Sequence, residues 1–201
     1  FQLGLRPVLH DLMDPPGGYI DGAQLEFLDA AARYYVSDHH FTLEYLDLVD
    51  IISIPTRSRF IKPVSWKANA GLKRWRFDDD DRPIFGHGNV GAGVSYAVAP
   101  FGTLFMFAEA TALISDRLDE KLALGAGPSG GAVIELTDRW RMSLGVRAQS
   151  FVVGRSRLTY DLAMEQAVDL TPRSGLRIRL SRNRAFGDPT TTVLIGFLAY
   201  L

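Results

Sequence analysis

The sequence predicts an all-β protein, an antiparallel transmembrane β-barrel with eleven visible strands. From Ile84 onward, segments of about ten residues alternate apolar side chains with small or charged ones, and turn residues separate the segments. No segment is an apolar run of the ~20 residues that a spanning helix requires. A chain in lipid must satisfy all its backbone hydrogen bonds, which only helices and closed barrels do, so the pattern indicates a barrel.

The predicted strands follow from this alternation. The clearest is 84–98, where Val90 and Tyr96 lie on one face and Asn89 and Ser95 on the other. A period of two repeated over so many segments is not typical of helices. The eleven predicted strands are 2–12, 23–36, 40–54, 62–76, 84–98, 103–115, 123–136, 140–153, 156–170, 174–184 and 190–201.

Residues 23–54 fit the pattern least. Charged side chains such as Glu26, Asp29 and Arg33 recur every three to four residues, so a pair of amphipathic helices is the alternative there. Stretches of aromatic and β-branched residues, joined by a compact polar turn, favour two strands instead. We expect a β-bulge within residues 47–50.

The strand count and the first residues indicate a fragment. Bacterial single-chain barrels have even strand numbers, so eleven strands imply a twelfth just upstream of Phe1. We therefore expect residues 1–201 to be one outer-membrane barrel domain, a fragment of a longer precursor.

Connection lengths predict the orientation of this barrel. If the chain ends on the periplasmic side, the short turns are periplasmic, and two longer periplasmic connections, 13–22 and 55–61, make that face the more elaborate one. The short periplasmic turns lie near 99–102, 137–139 and 171–173, and the outward connections lie near 77–83, 115–122 and 186–190.

Composition excludes several classes of function. A net charge of −1 and a pI of about 6.5 leave no electrostatic footprint for nucleic acid. The chain contains no cysteine, which excludes disulfides, thiol catalysis and thiolate metal sites within it. His39 and His40 diverge on a turn and make a poor metal site, so we expect no metal and no cofactor.

Charged side chains on the inner faces predict a paired network that fills the lumen. Acids and bases are balanced, whereas an open selective pore would carry a ring biased to one sign. The predicted network comprises Lys67, Lys73, Glu109, Glu135, Arg141, Arg147, Asp161, Glu165, Arg177 and Arg179. Aromatic residues near strand ends predict interfacial girdles. These are Trp66, Trp75, Tyr96, Phe101, Trp140, Tyr160 and Tyr200.

Four residues are weak catalytic candidates. His10 and Asp11, with Lys62 and Ser65, are expected near the periplasmic end, where a histidine held by a carboxylate is a general base. Adjacent residues of a strand point to opposite faces, so His10 and Asp11 diverge, and the favoured interpretation is that His10 and Lys62 cap the barrel mouth by hydrogen bonds.

Several strings of residues resemble a known family, the C-terminal region of Gram-negative proteins that carry an Lnb-type N-terminal periplasmic domain. The strings are 3–7, 10–12, 22–27, 33–35, 46–51 and 59–66. The resemblance implies a signal peptide, then a periplasmic domain related to a lipoprotein transacylase, then a barrel-like region. The cysteine chemistry attributed to that domain does not transfer, because this chain has no cysteine.

The alternation predicts an outer-membrane barrel. The resemblance implies a Gram-negative protein in which this barrel anchors and positions a periplasmic domain and presents lipid or lipoprotein substrate to it. Its expected partners are outer-membrane lipid, the upstream periplasmic domain and an envelope protein complex, and we expect no catalytic activity in this chain alone. The alternatives are a barrel-embedded lipid-modifying enzyme, a small-solute channel and a soluble lipid-binding barrel.

Overall fold

The regular structure is β-strand throughout the residues that the computed structural model describes, which are 2–5, 8–13, 22–35, 39–75, 82–98, 102–118, 120–153, 157–171 and 174–199. No helix in these ranges is long and apolar enough to cross a membrane. The strands are β1 (Gln2–Leu5), β2 (Val8–His10), β3 (Ala23–Tyr35), β4 (His40–Ser53), β5 (Ser65–Arg74), β6 (Ile84–Val98), β7 (Gly102–Ile114), β8 (Leu122–Thr137), β9 (Trp140–Val153), β10 (Arg157–Thr171), β11 (Ser174–Arg184) and β12 (Thr190–Ala199).

All the strands belong to one antiparallel sheet in which chain neighbours pair, in the order β1-β3-β4-β5-β6-β7-β8-β9-β10-β11-β12. β1 and β2 both pair with β3, so together they correspond to the single first strand predicted from the sequence. The predicted all-β antiparallel class is therefore confirmed, and the observed strand ends lie close to the predicted ones.

The sheet curls until strands far apart in the sheet meet across its inner face. Asp11, just after β2, forms an ion pair with Arg177 of β11. Arg141 of β9 donates a hydrogen bond from Nη1 to the carbonyl oxygen of Met13 at 3.1 Å. Among the described residues, β1 and β12 form the two edges and no pairing joins them. Closure through an additional upstream strand stays a prediction.

Side chains alternate between an apolar outer face and a polar inner face. On β6 and β7, Val90 and Met106 are 58% and 62% exposed, whereas Asn89 and Glu109 are each 4% exposed. The same alternation continues along β9 to β12, where the outer face exposes Val146, Leu158, Ile178 and Ile195. A protein that folds in water buries its apolar side chains and exposes its polar ones, which is the opposite arrangement. The outer face therefore suits an apolar surrounding.

The region 23–54 forms two strands and not helices, and the expected bulge is present. Along the β4–β5 pair, Asp47 is opposite Gly71 and Val49 is opposite Ala70, so Leu48 is the extra residue. A Cβ atom at Gly71 would lie 2.4 Å from the carbonyl oxygen of Leu46, closer than any side chain allows. The bulge therefore requires a glycine on the partner strand.

Apolar clusters occupy both ends of the curled sheet. We call the end at which β4 leads to β5 and β8 leads to β9 the proximal end, and the opposite end the distal end. The distal cluster, here the aromatic plug, contains Phe85, Leu113, Leu118, Ala123, Phe151 and Phe186, with Trp75 packed against it. The proximal cluster contains Met13, Val133 and Ala167, with Leu12 and Phe105 against it. Each end of the inner face thus carries a cluster of packed apolar side chains.

The predicted aromatic girdle is realised in part. Trp66, Tyr96 and Trp140 are exposed on the outer face at the proximal end. Trp75 differs, because its ring points inward and lies 5.5 Å from the Phe85 ring in the aromatic plug. Tyr160 is partly buried, and Phe101 and Tyr200 lie outside the described residues.

Packing of the plug against its wall predicts the effect of a single methyl group. A Cβ atom at Gly125 would lie 2.8 Å from the Phe151 ring, whereas one at Gly145 meets nothing within 4 Å. We expect Gly125→Ala to lower the free energy of unfolding by about 1–3 kcal/mol through overpacking. Gly145→Ala is the matched control and should not lower it. The measurement is the sample temperature at which the folded band of the full-length protein disappears on SDS gels, and equal temperatures for both variants would contradict the packing.

Candidate functional site

The centre of the inner space is organised by one carboxylate, that of Glu109 on β7, whose side chain is 0% exposed. Side chains from β5, β6, β8 and β9 contact it, namely Lys67, Asn89, Ser129, Arg147 and Gln149. Lys67 Nζ donates to Oε1 at 2.7 Å, and Arg147 Nε lies 3.1 Å from Oε2. We call this set the Glu109 layer.

The register of the sheet brings the Glu109 layer together. Glu109 stands opposite Gly91 on one side and Gly127 on the other, and the alternation turns every second residue of each neighbouring strand inward. Thr111, the next inward residue of β7, accepts hydrogen bonds from Asn89 Nδ2 at 2.8 Å and from Gln149 Nε2 at 2.6 Å. A continuous polar network therefore crosses the inner face from β6 to β9.

A second charged cluster lies nearer the proximal end. Arg177 pairs with Asp11 and also lies 3.3 Å from Glu165, measured from Nη1 to Oε1. Arg179 Nη1 lies 4.0 Å from the other oxygen of Glu165. Asp11 Oδ1 also accepts a hydrogen bond from the backbone N–H of Met13 at 3.0 Å. These contacts hold the segment after β2 inside the curled sheet, against β10 and β11.

A third polar group lies on the β4–β6 wall between the Glu109 layer and the plug. His87 Nε2 lies 2.7 Å from Asn69 Oδ1 and 3.2 Å from Asp47 Oδ1. Nearby at the distal end, Arg82 donates from Nη2 to Glu44 Oε2 at 2.7 Å. Sequence reasoning missed Asp47 and Glu44, because both lie beside bulges that change which residues face inward.

Six of the ten predicted inward charges fall into these groups. Lys67, Glu109 and Arg147 belong to the Glu109 layer, and Glu165, Arg177 and Arg179 belong to the proximal cluster. Outside these groups, Arg141 donates to the carbonyl oxygen of Met13, Lys73 Nζ lies 5.9 Å from the centroid of the Trp75 ring, and Asp161 is partly buried on β10. Glu135 is exposed near the end of β8 and takes no place inside.

The four weak catalytic candidates lie in different surroundings. Asp11 is ion-paired with Arg177, whereas Ser65 is buried and donates from Oγ to Ser95 Oγ at 3.0 Å. Lys62 is exposed on the connection between β4 and β5, and the side chain of His10 lies outside the described residues. The contacts of Asp11 and Ser65 are those of side chains that hold segments together. Capping of the barrel mouth by His10 and Lys62 stays a prediction.

Groupings suited to metal binding are absent from the part of the chain that the structure describes, where no three His, Cys, Asp or Glu side chains converge. His39 Nδ1 instead lies 3.0 Å from the Tyr34 hydroxyl. The described acids of the interior instead pair with arginine and lysine side chains.

Comparisons with known proteins give a family match over nearly the whole chain. A family model described as Domain of unknown function (DUF7840) matches residues 1–200. A search of curated proteins found no match. Among solved structures, the chain is similar to the crystal structure of the outer membrane channel DcaP of Acinetobacter baumannii, with a TM-score of 0.40 and 14% sequence identity. The match covers 98% of this chain and 61% of the channel chain, so this chain spans less than two thirds of that protein.

The Glu109 layer predicts a large loss of stability when its carboxylate is neutralised. Glu109→Gln leaves the Lys67 and Arg147 cations without their common counter-charge. Breaking a buried pair costs about 3–5 kcal/mol, and we expect the lower part of that range because Arg147 is partly exposed. Glu135→Gln, at the exposed end of β8, is the control and should leave the midpoint of urea unfolding unchanged. Urea unfolding followed by tryptophan fluorescence measures both, and coincident midpoints would show that Glu109 does not stabilise the interior.

Proposed function

This chain belongs to the DUF7840 family, and we propose that it is an outer-membrane β-barrel that anchors and positions a periplasmic domain of the same protein. The observation that carries the proposal is the inverted distribution of polarity, with exposed apolar side chains outside and buried ion pairs inside. Soluble monomers rarely expose contiguous apolar patches larger than a few hundred Å². Lipid is the surrounding that such an outer face suits.

The filled interior supports a scaffold in preference to a channel. The aromatic plug closes the distal end, the Glu109 layer crosses the middle, and Leu12 and Met13 enter at the proximal end. A conducting pore needs a continuous water-filled path lined by fixed charges or dipoles. Here the inward charges neutralise one another, so their role is to hold the wall together.

The proximal end is the place where we put the periplasmic domain. β1 begins opposite Arg33 near the distal end, so an upstream strand antiparallel to it would begin at the proximal end, and a preceding domain would join the barrel there. Asp11 and Met13 hold the segment after β2 inside the sheet at the same end. The outward aromatic residues Trp66, Tyr96 and Trp140 lie at the same end, as in an interfacial girdle. A domain held at the proximal end, level with this interfacial girdle, would meet lipid or lipoprotein substrate at the inner surface of the outer membrane.

Membrane insertion predicts a depth-dependent cost for charge on the outer face. Val146 is 52% exposed near the middle of β9, and Ser150 is exposed on the same face closer to the distal end. We expect Val146→Arg to destabilise the folded protein in vesicles by about 2–4 kcal/mol and Ser150→Arg by only about 0–1 kcal/mol. Urea titration of the vesicle-inserted protein measures both. Two equally small effects would argue for a soluble protein.

Heat-modifiability tests closure of the barrel directly. The full-length protein, extracted from outer membranes, should run faster on cold SDS gels than after boiling, because a closed barrel resists unfolding by SDS. Residues 1–201 alone should fail to shift if an upstream strand completes the barrel. Recovery of the full-length protein in the soluble fraction without a shift would overturn the membrane assignment.

Planar bilayer recordings separate the scaffold from the channel. We expect no unitary conductance steps from the purified protein, with a porin incorporated under the same conditions as the positive control. Reproducible steps of one size would overturn the closed-scaffold proposal and establish the channel alternative.

A further inference from the structure

The connection between β4 and β5, residues 54–64, presents apolar side chains at the proximal end. Phe60 is 90% exposed, Ile61 is 70% exposed and Val64 is 59% exposed. Single exposed apolar residues are common on protein surfaces, but three within five positions at the tip of one connection form a patch.

Hydrogen bonds hold this connection in one shape. The Ser58 backbone N–H donates to the Ile61 carbonyl oxygen at 2.9 Å, and Ser58 Oγ accepts from the backbone N–H of Ile61 at 3.0 Å. Arg57 Nε donates to the carbonyl oxygen of Pro63 at 3.0 Å, which closes the base of the turn. The Arg57 backbone N–H donates to the backbone carbonyl oxygen of Ser95 on β6 at 3.0 Å. The exposed tip is therefore braced against the wall.

All charges of the connection have one sign. Residues 54–64 contain Arg57, Arg59 and Lys62 and no acidic residue, although the chain as a whole has a net charge of −1. Arg59 and Lys62 flank the apolar tip and are both exposed. Basic side chains beside exposed apolar ones are typical of segments that lie in the interface of an anionic membrane.

The patch is continuous with the outer face of the sheet. Val64 is two residues before Trp66, so the two side chains share a face, and both are exposed. Tyr96 is exposed on the same face of the neighbouring strand β6. The apolar outer face thus continues from the first residues of β5 into the preceding connection, whose tip is basic.

We propose that the 54–64 connection binds anionic phospholipid at the surface of the membrane that holds the barrel. Phe60 and Ile61 enter the boundary between headgroups and acyl chains, and Arg59 and Lys62 bind lipid phosphates. This contact fixes the height and tilt of the proximal end against the bilayer, and it rests on the proposed membrane function.

Site-specific fluorescence tests the contact, because residues 1–201 contain no cysteine. Three variants of the full-length protein, Phe60→Cys, Asp116→Cys and Val146→Cys, are labelled with an environment-sensitive dye. The protein without an introduced cysteine, treated with the same dye, gives the background. Asp116 is the matched control, since its side chain is 93% exposed on a distal connection. Each is reconstituted into vesicles of phosphatidylglycerol and phosphatidylcholine that carry nitroxide-labelled lipid.

The proposal expects lipid quenching at position 60 that is roughly twofold or more above that at position 116. The difference should shrink in phosphatidylcholine alone and in a variant that also carries Arg59→Glu and Lys62→Glu. If lipid quenches the dye at position 146, but quenches the dye at position 60 no more than the dye at position 116, this inference is overturned and the membrane-barrel proposal stands. A dye at 60 that is shielded from iodide but not quenched by lipid overturns it in favour of a protein contact. Absence of quenching at 146 overturns both the inference and the membrane function.

Discussion

The buried carboxylate of Glu109 is the interaction on which the rest of the interior depends. A fully buried charge is costly unless charge and hydrogen bonds compensate it, and here Lys67 and Arg147 supply the charge. These partners come from β5 and β9, each two strands from β7. Curling of the sheet toward its inner face brings such side chains closer to Glu109. Charge compensation and curvature therefore stabilise each other.

The apolar clusters at the two ends of the sheet limit the access of water to this polar network. The aromatic plug at the distal end stacks Phe85 on Phe186 with ring centroids 5.8 Å apart. Arg157 donates to the carbonyl oxygen of Phe186, which fixes the connection that carries it. At the proximal end the chain itself enters as Leu12 and Met13. Low local dielectric strengthens the ion pairs between these two ends.

Much of the fold could be predicted from local patterns. The strands were predictable because alternation has a period of two and does not depend on what a residue eventually contacts. Even the bulge at Leu48 was within reach, since the pattern of inward residues slips there. Trp75 was assigned to the girdle because it stands at a strand end, but its direction depends on the Phe85 ring, which a pattern does not reveal.

The site was less predictable than the fold, for a physical reason. The sequence by itself determined which residues face inward on the regular strands, and hence that acids and bases would share the interior. Which acid meets which base was decided only by curvature and register, as in the pairing of Asp11 with Arg177. Asp11 beside His10 in the chain resembles half of a general-base pair, yet the curled sheet places an arginine from β11 against it. Contacts between strands distant in sequence depend on the global shape of the sheet, and no local period encodes that shape.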